Sequence, residues 1–133
     1  MNLKAKLLKK TTVSSYSSRN SSVYDDPMNK NFVYGEITID FVNRIKLQKT
    51  DEIIADIGCG TGFTFDIMYD RIKKNNSKCF GIEPAKGMLK LAKEKFKSDK
   101  NFSFSEGTFA QIPLKDKSAD KIISTLALHW VPS

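Results

Sequence analysis

From Phe32 onward the apolar positions fall into alternating long and short patterns. Ile37, Phe41, Val42 and Ile45 return at helical spacing and predict a helix over about 36–47 with one apolar face. Glu52–Ile57 (EIIADI) is a short apolar run ended by a glycine cluster, the pattern of a buried strand. A second helix is predicted over Phe63–Lys74, with Phe65, Met68 and Ile72 on one stripe, and a second strand over Lys78–Ile82. Ala85–Lys97 stacks Met88, Ala92 and Phe96 at i, i+4 and i+8 and predicts a third helix. Asn101–Ser105 alternates like a strand, and Asp120–Trp130 contains a fourth. Strands separated by helical segments of this length mean βαβ units. The expected fold is α/β, a Rossmann-like parallel sheet of about four strands in the order 3-2-1-4, incomplete, with helices on both faces.

Composition narrows this little. The chain has 133 residues, 40% hydrophobic and 28% charged, the profile of a single globular domain. Its longest nearly uncharged apolar run, Ile122 to Val131, is too short to span a bilayer. Charge is more informative once it is located. Of the net +7, the first 24 residues supply +5 through Lys4, Lys6, Lys9, Lys10 and Arg19, and no acidic residue precedes Asp25. The remainder carries 17 basic against 15 acidic side chains, so a basic patch on the folded part is not expected, nor is a nucleic-acid partner. Residues 1–30 read as a flexible basic head, with a mitochondrial-type presequence as the sharper alternative because the segment is basic, Ser-rich and free of acids. Residues 31–133 form the expected domain.

The chemistry sits in Asp56-Ile57-Gly58-Cys59-Gly60-Thr61-Gly62, between the first strand and the next helix. Glycines there admit positive φ and close approach of backbone to ligand. Twenty-one residues beyond Gly62 the second strand ends in Glu83-Pro84, where an acid accepts hydrogen bonds from a ribose diol. The plain alternative is a tight strand-to-helix turn with a surface Glu. A dinucleotide fingerprint spaces its glycines G-x-G-x-x-G, whereas here they stand at 58, 60 and 62. Asp56 would repel a pyrophosphate and suits a ligand bearing an ammonium or sulfonium centre. Charge therefore favours S-adenosylmethionine over NAD.

Asp56 to Gly62 resembles motif I of the class I S-adenosylmethionine-dependent methyltransferases nearly letter for letter. Glu83-Pro84 with Ala85-Lys86-Gly87-Met88-Leu89 is similar to the stretch that follows it. Phe104 to Leu114 resembles the third motif, Ser118 to Ile123 the fourth strand, and Leu126-Ala127-Leu128-His129-Trp130 a strand end of the small-molecule branch. That branch includes quinone-biosynthesis, malonyl-carrier and complex I assembly methyltransferases. The resemblance spans about residues 35–131. It implies S-adenosyl-L-methionine as cofactor, with Gly58, Cys59, Gly60, Thr61 and Gly62 around its methionine part and Asp56 near its amino group. Glu83, with Pro84 after it, would bind the ribose, Met88 would pack near the adenine, and Thr108 and Phe109 would border the adenine edge. Many relatives carry an Asp where Thr108 stands, so here the adenine would meet a neutral hydroxyl.

His129, the only histidine, is a weak catalytic candidate at the ligand-side end of the fourth strand; a structural His is the plainer reading. Trp130 reads as a pocket wall or a core aromatic. Cys59 and Cys79 sit at opposite ends of neighbouring strands, roughly 15–20 Å apart, too far for a disulfide. Reduced thiols point to an intracellular, cytoplasmic compartment, and no metal site is expected. The expected function is methyl transfer from S-adenosylmethionine to a small-molecule or carrier-bound acceptor. The alternative is a non-catalytic or fragmentary cofactor-binding module, because by resemblance the family continues with further strands after the fourth. The fourth strand would then be an apolar edge open to self-association. An NAD-dependent oxidoreductase fails on glycine spacing, and an RNA-modifying enzyme rests only on charge in the head.

Overall fold

A computed structural model describes residues 33–48, 50, 52–125 and 127. The elements run α1 (Val33–Arg44), β1 (Ile53–Ile57), α2 (Phe63–Asn75), β2 (Lys78–Ile82), α3 (Lys86–Lys95), β3 (Phe102–Ser105) and β4 (Lys121–Ile123). Strand order is β3-β2-β1-β4, every pair parallel, as the hydrophobic pattern predicts. Strand order reverses at β1, so the crevice beyond the carboxyl ends of β1 and β4 is the place where such sheets bind ligands.

The crossovers β1–α2–β2 and β2–α3–β3 step the same way across the sheet, and right-handed crossovers put both helices on one face. On that face Phe65, Met68 and Ile72 of α2 and Val42 of α1 pack with Ile54, Cys79, Phe102 and Ile123 of the strands. The predicted stripes of α2 and α3 are buried, with Phe96 joining this core from the C-terminal cap of α3. Facing the other way, Ala55, Ile57 and Ile82 are covered by Phe109, Leu114 and Ala119 from the segment between β3 and β4. Helices on both faces are thus a correction among the described residues: the second face is covered by loop side chains. The chain from Glu106 to Asp120 lacks the helical periodicity that would place one there.

α1 is also rotated from its predicted face. Ile37 and Phe41 are 47% and 43% exposed, while Thr38 and Val42 are buried. Arg71 of α2 sets this rotation by donating to the carbonyls of Ile45 (2.8 Å) and Val42 (3.1 Å), filling acceptors the helix end leaves open. α2 ends on Asn76 in the left-handed conformation (φ 54°), where its N–H returns to Ile72 and Lys73. At the amino-terminal end of the sheet, buried Glu52 accepts from Lys121 Nζ (2.9 Å) and from the Gln48 amide (3.0 Å). There Asp120 and Ile53 exchange backbone and side-chain hydrogen bonds at 2.8 and 2.9 Å.

Candidate cofactor site

The loop after β1 is held by backbone hydrogen bonds to the end of β2. The amides of Gly58 and Cys59 both donate to the Ile82 carbonyl, at 2.8 and 3.1 Å. Gly58, Gly60 and Gly62 have φ of 76°, 56° and 85°, a region L side chains rarely enter. Space reinforces this at two of them. A Cβ on Gly58 would stand 2.5 Å from the Ala127 Cβ, and one on Gly62 would stand 2.8 Å from the Phe96 ring. Thr61 and Cys59 between them are buried.

Glu83 locks this loop to α3. Its Oε2 accepts from the Gly60 amide and its Oε1 from the Ala85 amide, both at 2.8 Å. The second bond holds Ala85 extended (φ −85°, ψ 110°) and so sets where α3 starts, one residue after the predicted start. Burial pushes the Glu83 carboxyl up from its ordinary value, and the two amides pull it back. Each oxygen keeps further acceptor capacity for a ligand hydroxyl.

Asp56 is the anomaly. It lies in β1 with no exposure, and neither carboxylate oxygen has a hydrogen-bond partner. Burial raises its pKa to about 7; the Thr64 hydroxyl lowers it and the Glu83 charge raises it. Thr64, in the first turn of α2, makes its hydrogen bond to the Thr125 hydroxyl at 3.3 Å and closes none to Asp56. A buried acid without partners costs free energy that a ligand cation would offset.

The remaining predicted residues are placed less uniformly. Phe109 lies 4.0 Å from the position a Gly58 Cβ would take. Thr108 pairs with Gln111 through both backbone groups, at 3.1 and 3.0 Å, closing the turn that carries Phe109. Pro84 is half-buried between the acid and the helix cap, and Met88 is buried in α3. His129 and Trp130 lie outside the described residues, as do residues 1–30. Cys59 and Cys79 are free and buried, and burial pushes the Cys59 thiol well up, with Asp56 and Glu83 adding to the rise.

Three features of the site escaped sequence reasoning: Thr64, Thr125 and the pairing of Gly81 with Phe104. Gly81 had a readable signal, a glycine inside a strand. A Cβ there would stand 2.4 Å from the Phe104 ring and 2.8 Å from Cys59 Sγ, so the missing side chain lets an aromatic ring rest under the loop. A shallow depression of about 310 Å³ on the outer face of α3 is lined by Lys86, Leu89, Lys90, Lys93 and Glu94, none of them a residue of the glycine loop.

A glycine loop at the switch point of a parallel sheet, with an acid closing the neighbouring strand, is the arrangement in which α/β folds bind nucleoside cofactors. Residues 55–133 match the family described as methyltransferase domain, and the chain belongs to that family. It is 41% identical over 75 residues to ubiquinone/menaquinone biosynthesis C-methyltransferase UbiE of Campylobacter jejuni, covering 54% of this chain and 31% of that protein. It is 32% identical over 80 residues to the malonyl-[acyl-carrier protein] O-methyltransferase of Marinomonas sp., covering 59% and 28%. The chain therefore spans about a third of the length of these curated relatives. Among solved structures it is similar to Haemonchus contortus phosphoethanolamine N-methyltransferase 1 in complex with phosphoethanolamine and S-adenosylhomocysteine. That likeness has a TM-score of 0.68 at 16% identity, covers 93% of this chain and 26% of the other, and bears on the fold alone.

Proposed function

We propose that residues 31–133 bind S-adenosyl-L-methionine and carry the cofactor half of a methyltransferase acting on a small-molecule or carrier-bound acceptor. The observation that carries this reading is the buried, partnerless Asp56 carboxylate beside a three-glycine loop, the complement of a ligand ammonium. Family membership and the two curated relatives, a quinone-biosynthesis C-methyltransferase and a carrier-protein O-methyltransferase, support the reaction class. Gly58, Cys59, Gly60, Thr61 and Gly62 would surround the methionine part, with Asp56 facing its amino group. Glu83 would accept from the ribose hydroxyls while keeping its bonds to Gly60 and Ala85. Met88, Pro84, Thr108 and Phe109 would bound the adenine.

The bound cofactor supplies an activated methyl group on a sulfonium. The chain's own work is to orient that group, screen it from water and hold the ammonium. His129 stays a proposed contributor to proton removal, and Trp130 a proposed wall. Titration of the folded protein with S-adenosylmethionine by calorimetry tests the reading. Saturable binding in the micromolar range is expected, and no binding at millimolar cofactor overturns it.

A second reading, a non-catalytic cofactor-binding module that self-associates, draws on β4. Among the described residues β4 pairs only with β1, and Ile122 on it is 69% exposed. Such an edge is a template for another chain. Sedimentation should show wild type heavier than Ile122→Lys; equal mass for the two removes this reading. The proposed compartment is the cytoplasm, with mitochondrial import as the alternative for the basic head. Among the described residues no helix is long and apolar enough to cross a membrane. We propose no nucleic-acid partner, since the charge excess lies within residues 1–24.

A further inference from the structure

We propose that Phe104 is a positioning residue of the cofactor site: its ring crosses β2 through the gap left by Gly81 and supports the glycine loop at Cys59 and Gly62. The inference rests on the reading of this loop as a seat for S-adenosylmethionine.

β3 and the loop after β1 are not neighbours, since β2 runs between β3 and β1. A side chain on β3 has to pass over one strand, about 5 Å of sheet, to reach the loop. The register sets Phe104 directly beside Gly81, so the strand it must pass carries no side chain at that position. The ring fills that space: a Cβ on Gly81 would stand 2.4 and 2.6 Å from two of its carbons. The same Cβ would stand 2.8 Å from Cys59 Sγ, so the ring and the loop thiol meet in one gap. At Gly62 the nearest atoms to a missing Cβ belong to Phe96, at 2.8 and 3.5 Å, and then to Phe104, at 3.6 Å. The rings of Phe96 and Phe104 pack on each other with centroids 5.4 Å apart, and Phe65 of α2 adds an edge contact to Phe104 at 6.2 Å.

Such support matters because of what the loop is made of. Hydrogen bonds to the end of β2 hold residues 58 to 60, two amides on the Ile82 carbonyl and one on Glu83. Gly62 instead bonds back into the loop, its amide donating to the Cys59 carbonyl at 2.9 Å. Glycine has the most backbone freedom to lose on ordering, and a loop ordered before its ligand arrives binds that ligand more tightly. Phe104 meets both ends of this Cys59–Gly62 turn from the helix-covered face, while the ligand crevice lies beyond the carboxyl ends of the strands. It acts on the ligand through the loop. Phe102, two residues earlier on the same face of β3, is the contrast. It packs on Phe65 and Phe96 at 5.7 and 4.4 Å and is more deeply buried than Phe104, yet none of its atoms is among those nearest Gly62 or Gly81.

The test compares wild type with Phe104→Leu, Phe104→Tyr and Phe102→Leu in three readouts. These are urea unfolding, the calorimetric Kd for S-adenosylhomocysteine, and the rate of Cys59 alkylation by iodoacetamide without ligand, followed by peptide mass spectrometry. Phe104→Leu should weaken S-adenosylhomocysteine binding about tenfold and speed Cys59 alkylation by a similar factor. Phe104→Tyr, which keeps the ring, should match wild type in both. Phe102→Leu should lose at least as much stability as Phe104→Leu and still keep the wild-type Kd and Cys59 rate. A purely structural role would make Kd and alkylation follow stability across the variants. That result, or a Kd unmoved by Phe104→Leu, overturns the inference. Should Phe104→Leu not fold, an unchanged Kd in the milder Phe104→Met overturns it equally. A folded wild type that does not bind S-adenosylhomocysteine instead overturns the cofactor reading, and this inference with it.

Discussion

One buried acid stands just before β1 and another near its carboxyl end, and the two are treated in opposite ways. Glu52, at the amino-terminal end of the sheet, is bonded by Lys121 and by the Gln48 amide. Asp56, four residues on at the carboxyl end, is buried as deeply and has no partner. A buried charge with a cation and an amide is a settled structural element, whereas one without either is held in readiness. Under the proposed function the difference would place ligand binding at one end of the sheet, with the other end serving as architecture. It agrees with the position of the strand-order reversal, which also points to the carboxyl ends.

The largest effect should come from taking the partner away at the settled end. Lys121→Met leaves Glu52 buried beside an apolar side chain and should cost about 3 kcal/mol in urea unfolding, with a matching fall in Tm. S-adenosylhomocysteine affinity of the protein that remains folded should be unchanged. A loss below about 0.5 kcal/mol would show that Glu52 is not held by its cation, and the contrast between the two ends would fall.

Neutralising the other end should do the reverse. The native Asp56 holds its proton up to about pH 7, whereas an unfolded aspartate releases it near 3.8, so stability is lost as pH rises across that window. Asp56→Asn removes this loss. Relative to wild type it should be about 2 kcal/mol less stable below pH 4, gain between 4 and 7, and level off above 7 about 2 kcal/mol more stable. The full shift converts to about 4 kcal/mol, but the amide brings buried donors of its own that offset part of it. The same variant should lose more than tenfold in S-adenosylhomocysteine affinity at pH 7.5. Stabilisation without loss of binding would mean that Asp56 does not face the ligand. A variant destabilised at pH 8 would mean that its carboxylate has a stabilising role after all.

Much of this molecule was legible beforehand. The α2 stripe of Phe65, Met68 and Ile72 and the α3 stripe of Met88, Ala92 and Phe96 are buried as their period demands, because each helix has one sheet to face. The α1 stripe was misread, since four apolar residues there span more arc than one contact can bury. Choosing among them needed Arg71, which lies 26 and 29 residues away in sequence. That no helix among the described residues covers the second face was likewise masked by the expectation that βαβ sheets are covered twice. Of the candidate site, the positive φ of Gly58, Gly60 and Gly62 and the places of Asp56 and Glu83 near strand ends follow from local geometry, and their roles toward a ligand belong to the proposed function.

The sequence by itself determined the order of elements, the parallel sheet and the residues that meet at its carboxyl end. These follow from period, spacing and the conformations open to glycine. Only the tertiary structure decided how the acids are partnered. Glu83 binds two amides, Glu52 a lysine 69 residues away and Asp56 nothing, while Thr64 meets Thr125 across 61 residues. Partnership between such distant residues depends on register and on which face of the sheet each side chain takes. A linear pattern specifies the faces one element at a time, and the pairing appears only when the strands lie side by side.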